Sequence, residues 1–309
     1  MKRFGKGAWI FTTTNKAMEP SQGVLTRARL KAAVAAAELA RLDIPLSIAT
    51  CMAESRFGEA VGCLVLMSRA FYSDTQLWGA FKEHQGPLGR TRLMFAAMVG
   101  NVARARFLLD RGARMEVVDS DGLNALMTAS IVGSLEVARL LMERGANVSA
   151  ARISDGMTVL MWASQEGHLE ISQLLVEGGA NVNGARTDDG QTALMLASEQ
   201  GHLEIAQLLV EEGANVNYAC TDDGMTALIL ASQEGHLEIA QLLVEEGANV
   251  NAARTTDGFT ALMWAAQAVH LEIVRFLLTS GADKAALTHA GRTAHSLCAA
   301  HPAIRALLA

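Results

Sequence analysis

Four histidines recur at a fixed distance. His168, His202, His236 and His270 each fall 34 residues after the last, and each is followed two positions later by a glutamate. Imidazole and carboxylate together suggest metal ligation or general acid–base work. The spacing argues against a metal centre: equivalent residues of stacked helices sit about 8–10 Å apart, whereas Zn–N bonds are about 2.0–2.1 Å. The expected role is structural, with each imidazole bonding a carbonyl between successive units. Cys298 and His301 form a lone Cys-x-x-His pair, without the further ligands of a zinc site. Paired carboxylates at Asp188-Asp189 and Asp222-Asp223 fall where solvated turns are expected, and nothing there would raise a pKa for acid–base chemistry. No GxSxG, HExxH, Walker or dinucleotide-binding pattern occurs. The reading is therefore of a chain with no catalytic residue, no metal and no cofactor.

The elements that position these residues are written as a repeat. Asp-Gly pairs stand at Asp121-Gly122, Asp155-Gly156, Asp189-Gly190, Asp223-Gly224 and Asp257-Gly258, every 34 residues, and the array continues to Ala290-Gly291. Asp-Gly is a tight-turn dipeptide, because Gly accepts positive φ and Asp bonds its own backbone. In the unit that follows Asp189, Thr192 is placed to cap a helix whose Leu194, Ala197 and Ser198 share one face. Gly201 should stop that helix in the left-handed conformation. A second helix then turns Leu203, Ile205, Leu208 and Leu209 inward and leaves Glu204, Gln207 and Glu211 wet, until Gly213 ends it. Helices of about eight to ten residues are marginal alone, so the units must stack and bury one another's faces.

The segment "DGQTALMLASEQGHLEIAQLLVEEGANVN" resembles an ankyrin repeat, with Thr192-Ala193-Leu194-Met195 where that family has Thr-Pro-Leu-His. The resemblance implies an all-α fold: an ankyrin-repeat solenoid of helix-turn-helix units with projecting hairpins over about 90–309. Six units start near Arg90, Gly122, Gly156, Gly190, Gly224 and Gly258, and a partial unit at Gly291–Ala309 closes the array. Two features depart from the family pattern. The period is 34 rather than 33, and the family's Thr–His bond is absent because Met161, Met195, Ile229 and Met263 replace the His. Apolar packing is expected to do that bond's work.

Charge and composition bound the partners. Between Asp119 and Asp283 there are 23 acidic residues and 6 arginines, a net of −17 in a chain whose total is −6. Such an array disfavours nucleic acid, which binds by cationic neutralisation, and suits a protein partner with a basic or apolar surface. Four cysteines without a CxxC give no disulfide frame, which fits an intracellular setting, cytoplasmic or nuclear. No apolar run reaches the roughly 18 residues of a membrane span. Residues 1–23 read as a basic flexible arm. The first 32 residues carry seven basic side chains and one acid, so organelle targeting is the other reading of that segment.

In ankyrin-like arrays the varying letters face partners, along hairpins and the concave first helices. The position after each Gly reads Leu123, Met157, Gln191, Met225 and Phe259. Trp162 and Trp264 vary against Thr128, Leu196 and Leu230, and the helix ends carry Gln165, Glu199, Gln233 and Gln267. An apolar stripe with a polar rim resembles an interface core. The competing reading is that the Met, Phe and Trp side chains fill grooves between units. These residues are the candidates for a non-enzymatic scaffold that binds a protein through its concave face and hairpins.

Residues 24–86 read as a helical N-terminal region, either a cap on the first repeat or a docking segment. Within it, "CLVLMSRAFYSDTQLWGAF" resembles the closing half of an F-box, with Ser68-Arg69-Ala70-Phe71 and Leu77-Trp78 in the corresponding places. The opening half departs, having Ile44-Pro45-Leu46-Ser47 instead of Leu-Pro and an acid. That resemblance implies a substrate receptor of a cullin ubiquitin ligase, contacting a Skp-type adaptor through Leu66, Phe71, Leu77 and Trp78. An enzyme with an ankyrin appendage has too few residues outside the array for a catalytic domain.

Overall fold

The computed structural model describes residues 89–298 and 300–309. The chain divides into two units, Met1–Arg56 and Phe57–Ala309, and every described residue lies in the second. The basic arm and the helical N-terminal region up to 86 lie outside the described residues.

Helices alternate in two layers. The first helices of successive units are α1 (Arg92–Met98), α3 (Ala125–Val132), α5 (Val159–Gln165), α7 (Ala193–Gln200), α9 (Ala227–Glu234), α11 (Ala261–Ala268) and the short α13 (Ala294–Leu297). Between them come the second helices, α2 (Val102–Asp110), α4 (Leu135–Glu143), α6 (Leu169–Glu177), α8 (Leu203–Glu211), α10 (Leu237–Glu245), α12 (Leu271–Thr279) and α14 (Pro302–Leu308). No strand ladder forms among the described residues. Isolated antiparallel bridges such as Ala185 with Thr192 close each internal hairpin.

Local chemistry sets the helix ends. Thr192 Oγ1 accepts from Met195 N at 3.4 Å, and Thr158, Thr226 and Thr260 cap α5, α9 and α11 in the same way. In the units of Thr91 and Thr158, the methionine three residues on returns the contact, its sulfur 3.3 and 3.4 Å from the threonine N–H. A thioether there takes over part of the missing Thr–His bond, where the sequence suggested apolar packing alone. Gly201 closes α7 at φ +80°.

The internal first helices, α3 to α11, are almost wholly enclosed, since each meets a first helix on either side as well as its own second helix. Ala193 to Ser198 are all buried in α7. The second helices bury one stripe: Ile205, Ala206 and Leu209 are inside α8, Leu203 and Leu208 are half-buried, and Glu204, Gln207 and Glu211 are exposed. Fully burying a Leu or Ile contributes about 1.5–3 kcal/mol. A continuous core from Leu93 to Leu308 therefore stabilises helices that would not persist singly.

Candidate protein-binding face

The histidines join neighbouring units. The Nε2 of His168, His202, His236 and His270 lies 3.2, 3.1, 3.1 and 3.0 Å from the carbonyls of Ile131, Gln165, Glu199 and Gln233. A carbonyl only accepts, so Nε2 donates and the ring is held in one tautomer. Each ring also sits over the helix-ending glycine of the preceding unit. A Cβ on Gly201 would lie 2.5 Å from His236 Cε1. Among the described residues the ladder stops at the last full unit: His301 stands at the N-cap of α14 and makes no side-chain capping bond. There the glycine position holds Val269, at φ 69° and 41% exposed.

Asparagines make a second ladder in the loops. Asn183 donates from Nδ2 to Gly213 O at 2.9 Å and accepts from Asn215 N at 2.8 Å, and Asn217 and Asn251 repeat the pattern one and two units on. The four histidines that first suggested chemistry, and these asparagines, are thus committed to holding units in register.

The hairpins form a connected row. Thr187 N donates to Asp155 O at 2.8 Å, Thr221 N to Asp189 O at 2.9 Å and Thr255 N to Asp223 O at 2.7 Å. Arginines anchor three of them. Arg152 pairs with Asp155, Arg186 with Asp188 at 2.8 Å, and Arg254 with Asp257 at 2.5 Å. The guanidinium beside each holds the carboxyls of Asp155, Asp188 and Asp257 below the usual range. Arg152 and Arg254 also cover the faces of Trp162 and Trp264, at 5.0 and 5.1 Å from the ring centroids. Sequence reasoning missed this stacking. Its signal was present, because Arg and Trp occur ten residues apart in just the two units that carry a tryptophan.

Leu123, Met157, Met225 and Phe259 are buried, at 4, 2, 7 and 6% exposed. Their apolar character follows from packing of each hairpin against the helices, and the surface expected at these four positions is closed in the free chain. Phe259 meets Trp264 at 5.1 Å between ring centroids. Leu196, Leu230 and Thr128 are buried as well. What stays accessible is Trp162 and Trp264, both half-buried, with Gln165, Gln191, Glu199 and Gln233 half-buried and Gln267 exposed. Each indole Nε1–H is shielded from solvent and has no hydrogen-bond partner among the described residues. Glu199 sits low on this face, and burial followed by the charge of Glu234 pushes its carboxyl up.

At the hairpin of Cys220 the donor atoms of Cys220, Asp222 and Asp223 lie within 4.8 Å of one another. Burial, then the Asp223 charge, pushes the thiol up to about 12. Soft-metal ligation needs the thiolate, which this setting opposes. The adaptor candidates Leu66, Phe71, Leu77 and Trp78 lie outside the described residues. No helix among the described residues is long and apolar enough to cross a membrane.

Stacked helix pairs, joined by projecting hairpins and stapled by inter-unit His and Asn bonds, define a helical repeat solenoid. The family model for ankyrin repeats, in three copies, matches residues 66–152, 149–220 and 218–288, and the chain belongs to that family. Its first match begins upstream of Arg90 and takes in Leu66–Trp78. Among solved structures, the ankyrin repeat domain of human ASB11 superposes with a TM-score of 0.63 at 24% identity, over 71% of this chain and 96% of that one. The ankyrin repeat domain of Bcl-3, described as a unique member of the IkappaB protein family, gives 0.61 at 27% identity, over 71% and 98%. No curated protein sequence matches significantly. Ankyrin repeats are protein–protein interaction modules, and this chain carries such a module.

Proposed function

We propose that the chain is a non-enzymatic scaffold that captures a protein partner on the face shared by its first helices and hairpins. One observation carries this reading. The second helices Leu203–Glu211 and Leu237–Glu245 are verbatim copies, and Leu169–Glu177 departs from them only in Ser172, whereas the first helices and hairpins change from unit to unit on this face, where Trp162, Gln165, Gln191, Glu199, Gln233, Trp264 and Gln267 keep accessible surface. Half-buried aromatics ringed by polar groups suit an interface core and rim. The helices already hold these side chains in place, so little loop-ordering entropy opposes binding. The acidic surplus favours a partner with basic surface. A photo-crosslinking residue at Gln191 or Gln233 should trap partner protein, while the same residue at Glu204 or Glu238 on the second helices should not. Trapping from the second helices alone would reverse the assignment.

The ubiquitin-ligase receptor reading rests on Ser68-Arg69-Ala70-Phe71 and Leu77-Trp78 alone. The ankyrin match over 66–152 offers the other account of these residues, as part of the array's first unit. Recovery of a Skp-type adaptor with the intact chain, lost on Leu77→Ala with Trp78→Ala, supports the receptor; no recovery with the intact chain sinks it.

A further inference from the structure

Four hairpin residues share one backbone register. Arg152, Arg186, Cys220 and Arg254 each donate their N–H to the carbonyl five residues on, that of Met157, Gln191, Met225 and Phe259, at 2.8–2.9 Å. Three of the four send a guanidinium onto the carboxylates of their own hairpin. The fourth ends in a thiol, whose nearest polar partner is the sulfur of Met195 at 3.7 Å. The acids that the missing arginine would meet are nonetheless present. Asp222 is exposed, and Asp223 accepts from Met225 N at 3.0 Å and meets the next hairpin's Arg254 at 3.8 Å. Asp189 also acts on the Cys220 thiol, with the Arg186 guanidinium opposing it, and Glu199 lies near Asp189 and Glu234.

The sister hairpins show what this arrangement holds, because in each of them the acid equivalent to Asp223, that is Asp155, Asp189 or Asp257, meets its own hairpin's guanidinium. We infer that the hairpin of Cys220 docks an arginine from an extended segment of the protein partner, which takes the place that Arg152, Arg186 and Arg254 fill from within. A guanidinium suits it better than an ammonium, since the planar fork grips a carboxylate through two N–H groups. Leu230 stands where the units of Arg152 and Arg254 have Trp162 and Trp264, so the seat has no aromatic cover of its own. Glu199 and Glu234 lie along the same face and would receive a second cationic side chain. The inference rests on the face proposed above and adds the chemistry of its occupant.

The test uses the full chain and a fluorescent peptide with arginines spaced by Gly and Ser, beside the same peptide with citrulline, which keeps the shape and drops the charge. The citrulline peptide should bind at least about tenfold more weakly, a difference of 1.4 kcal/mol. Cys220→Arg should lower affinity for the arginine peptide by a similar factor with no loss of thermal midpoint, because three sister hairpins already fold around Arg. Cys220→Ser should bind like the parent. Should Cys220→Arg not fold, the pair Asp222→Asn and Asp223→Asn must show the same loss. Equal binding of both peptides, or unchanged affinity in the folded Cys220→Arg chain, overturns the inference. Crosslinks from Gln191 that persist in Cys220→Arg would leave the binding face intact and remove only this seat; crosslinks absent from the parent chain would remove the face itself.

Discussion

Gly201 answers to two demands at once. Its φ of +80° is costly for any L side chain, and a Cβ there would strike the ring of His236. Gly201→Ala should therefore cost about 2–4 kcal/mol. His236→Ala removes the bond to Glu199 O and should cost about 1–3 kcal/mol. The double variant should lose less than the sum, since without the ring the new methyl has room; urea denaturation of the four chains measures the coupling. Strict additivity would show that ring and glycine do not touch. The structural role of the histidines was legible in the sequence because one imidazole per stacked unit puts successive rings about 8–10 Å apart, too far to share a metal. Val269 was not, because one residue with positive φ leaves no periodic trace.

At the scale of the hairpin, charge sets a pH window. Asp155 and Asp257 have folded pKa values below their unfolded ones, so the unfolded chain binds their protons more readily. Their stabilisation is complete above the ordinary Asp value of about 3.9 and is lost as pH falls through the lowered folded values. Glu199 has the opposite sign: its folded value is raised, so its ionisation opposes folding increasingly as pH climbs past about 4.3. Glu199→Gln should raise the thermal midpoint at pH 7, with the gain vanishing near pH 4. A gain that persists in acid would place its cause elsewhere than the charge. Helices, caps and stops were readable from period and capping chemistry. Whether Met157, Met225 and Phe259 faced a partner or a groove was not, because both settings select the same apolar letters. Only the fold of each hairpin over the helices decides it.

For the whole molecule, a stack of near-identical units behaves as a chain of nearest-neighbour interfaces. Deleting residues 190–223 would join Asp189 to Gly224 and bring His236 to Gly167 and the Gln165 carbonyl, a junction chemically equal to the one lost. The shortened chain should fold cooperatively, with a smaller denaturant slope because less surface is exposed on unfolding. An unfolded or aggregated product would mean that the units are not interchangeable. The partner-binding account sits on top of that stack, and it assigns recognition to the letters that change between copies. Its most direct measurement is partner capture by three full-length chains: the parent, Trp162→Leu with Trp264→Leu, and Glu204→Ala with Glu238→Ala. Leu already occupies the tryptophan position in the two middle units, at Leu196 and Leu230, so the fold should tolerate it. The account predicts at least about a tenfold loss of capture, 1.4 kcal/mol, for the tryptophan pair and none for the glutamate pair. Capture that survives the first and fails in the second would contradict it.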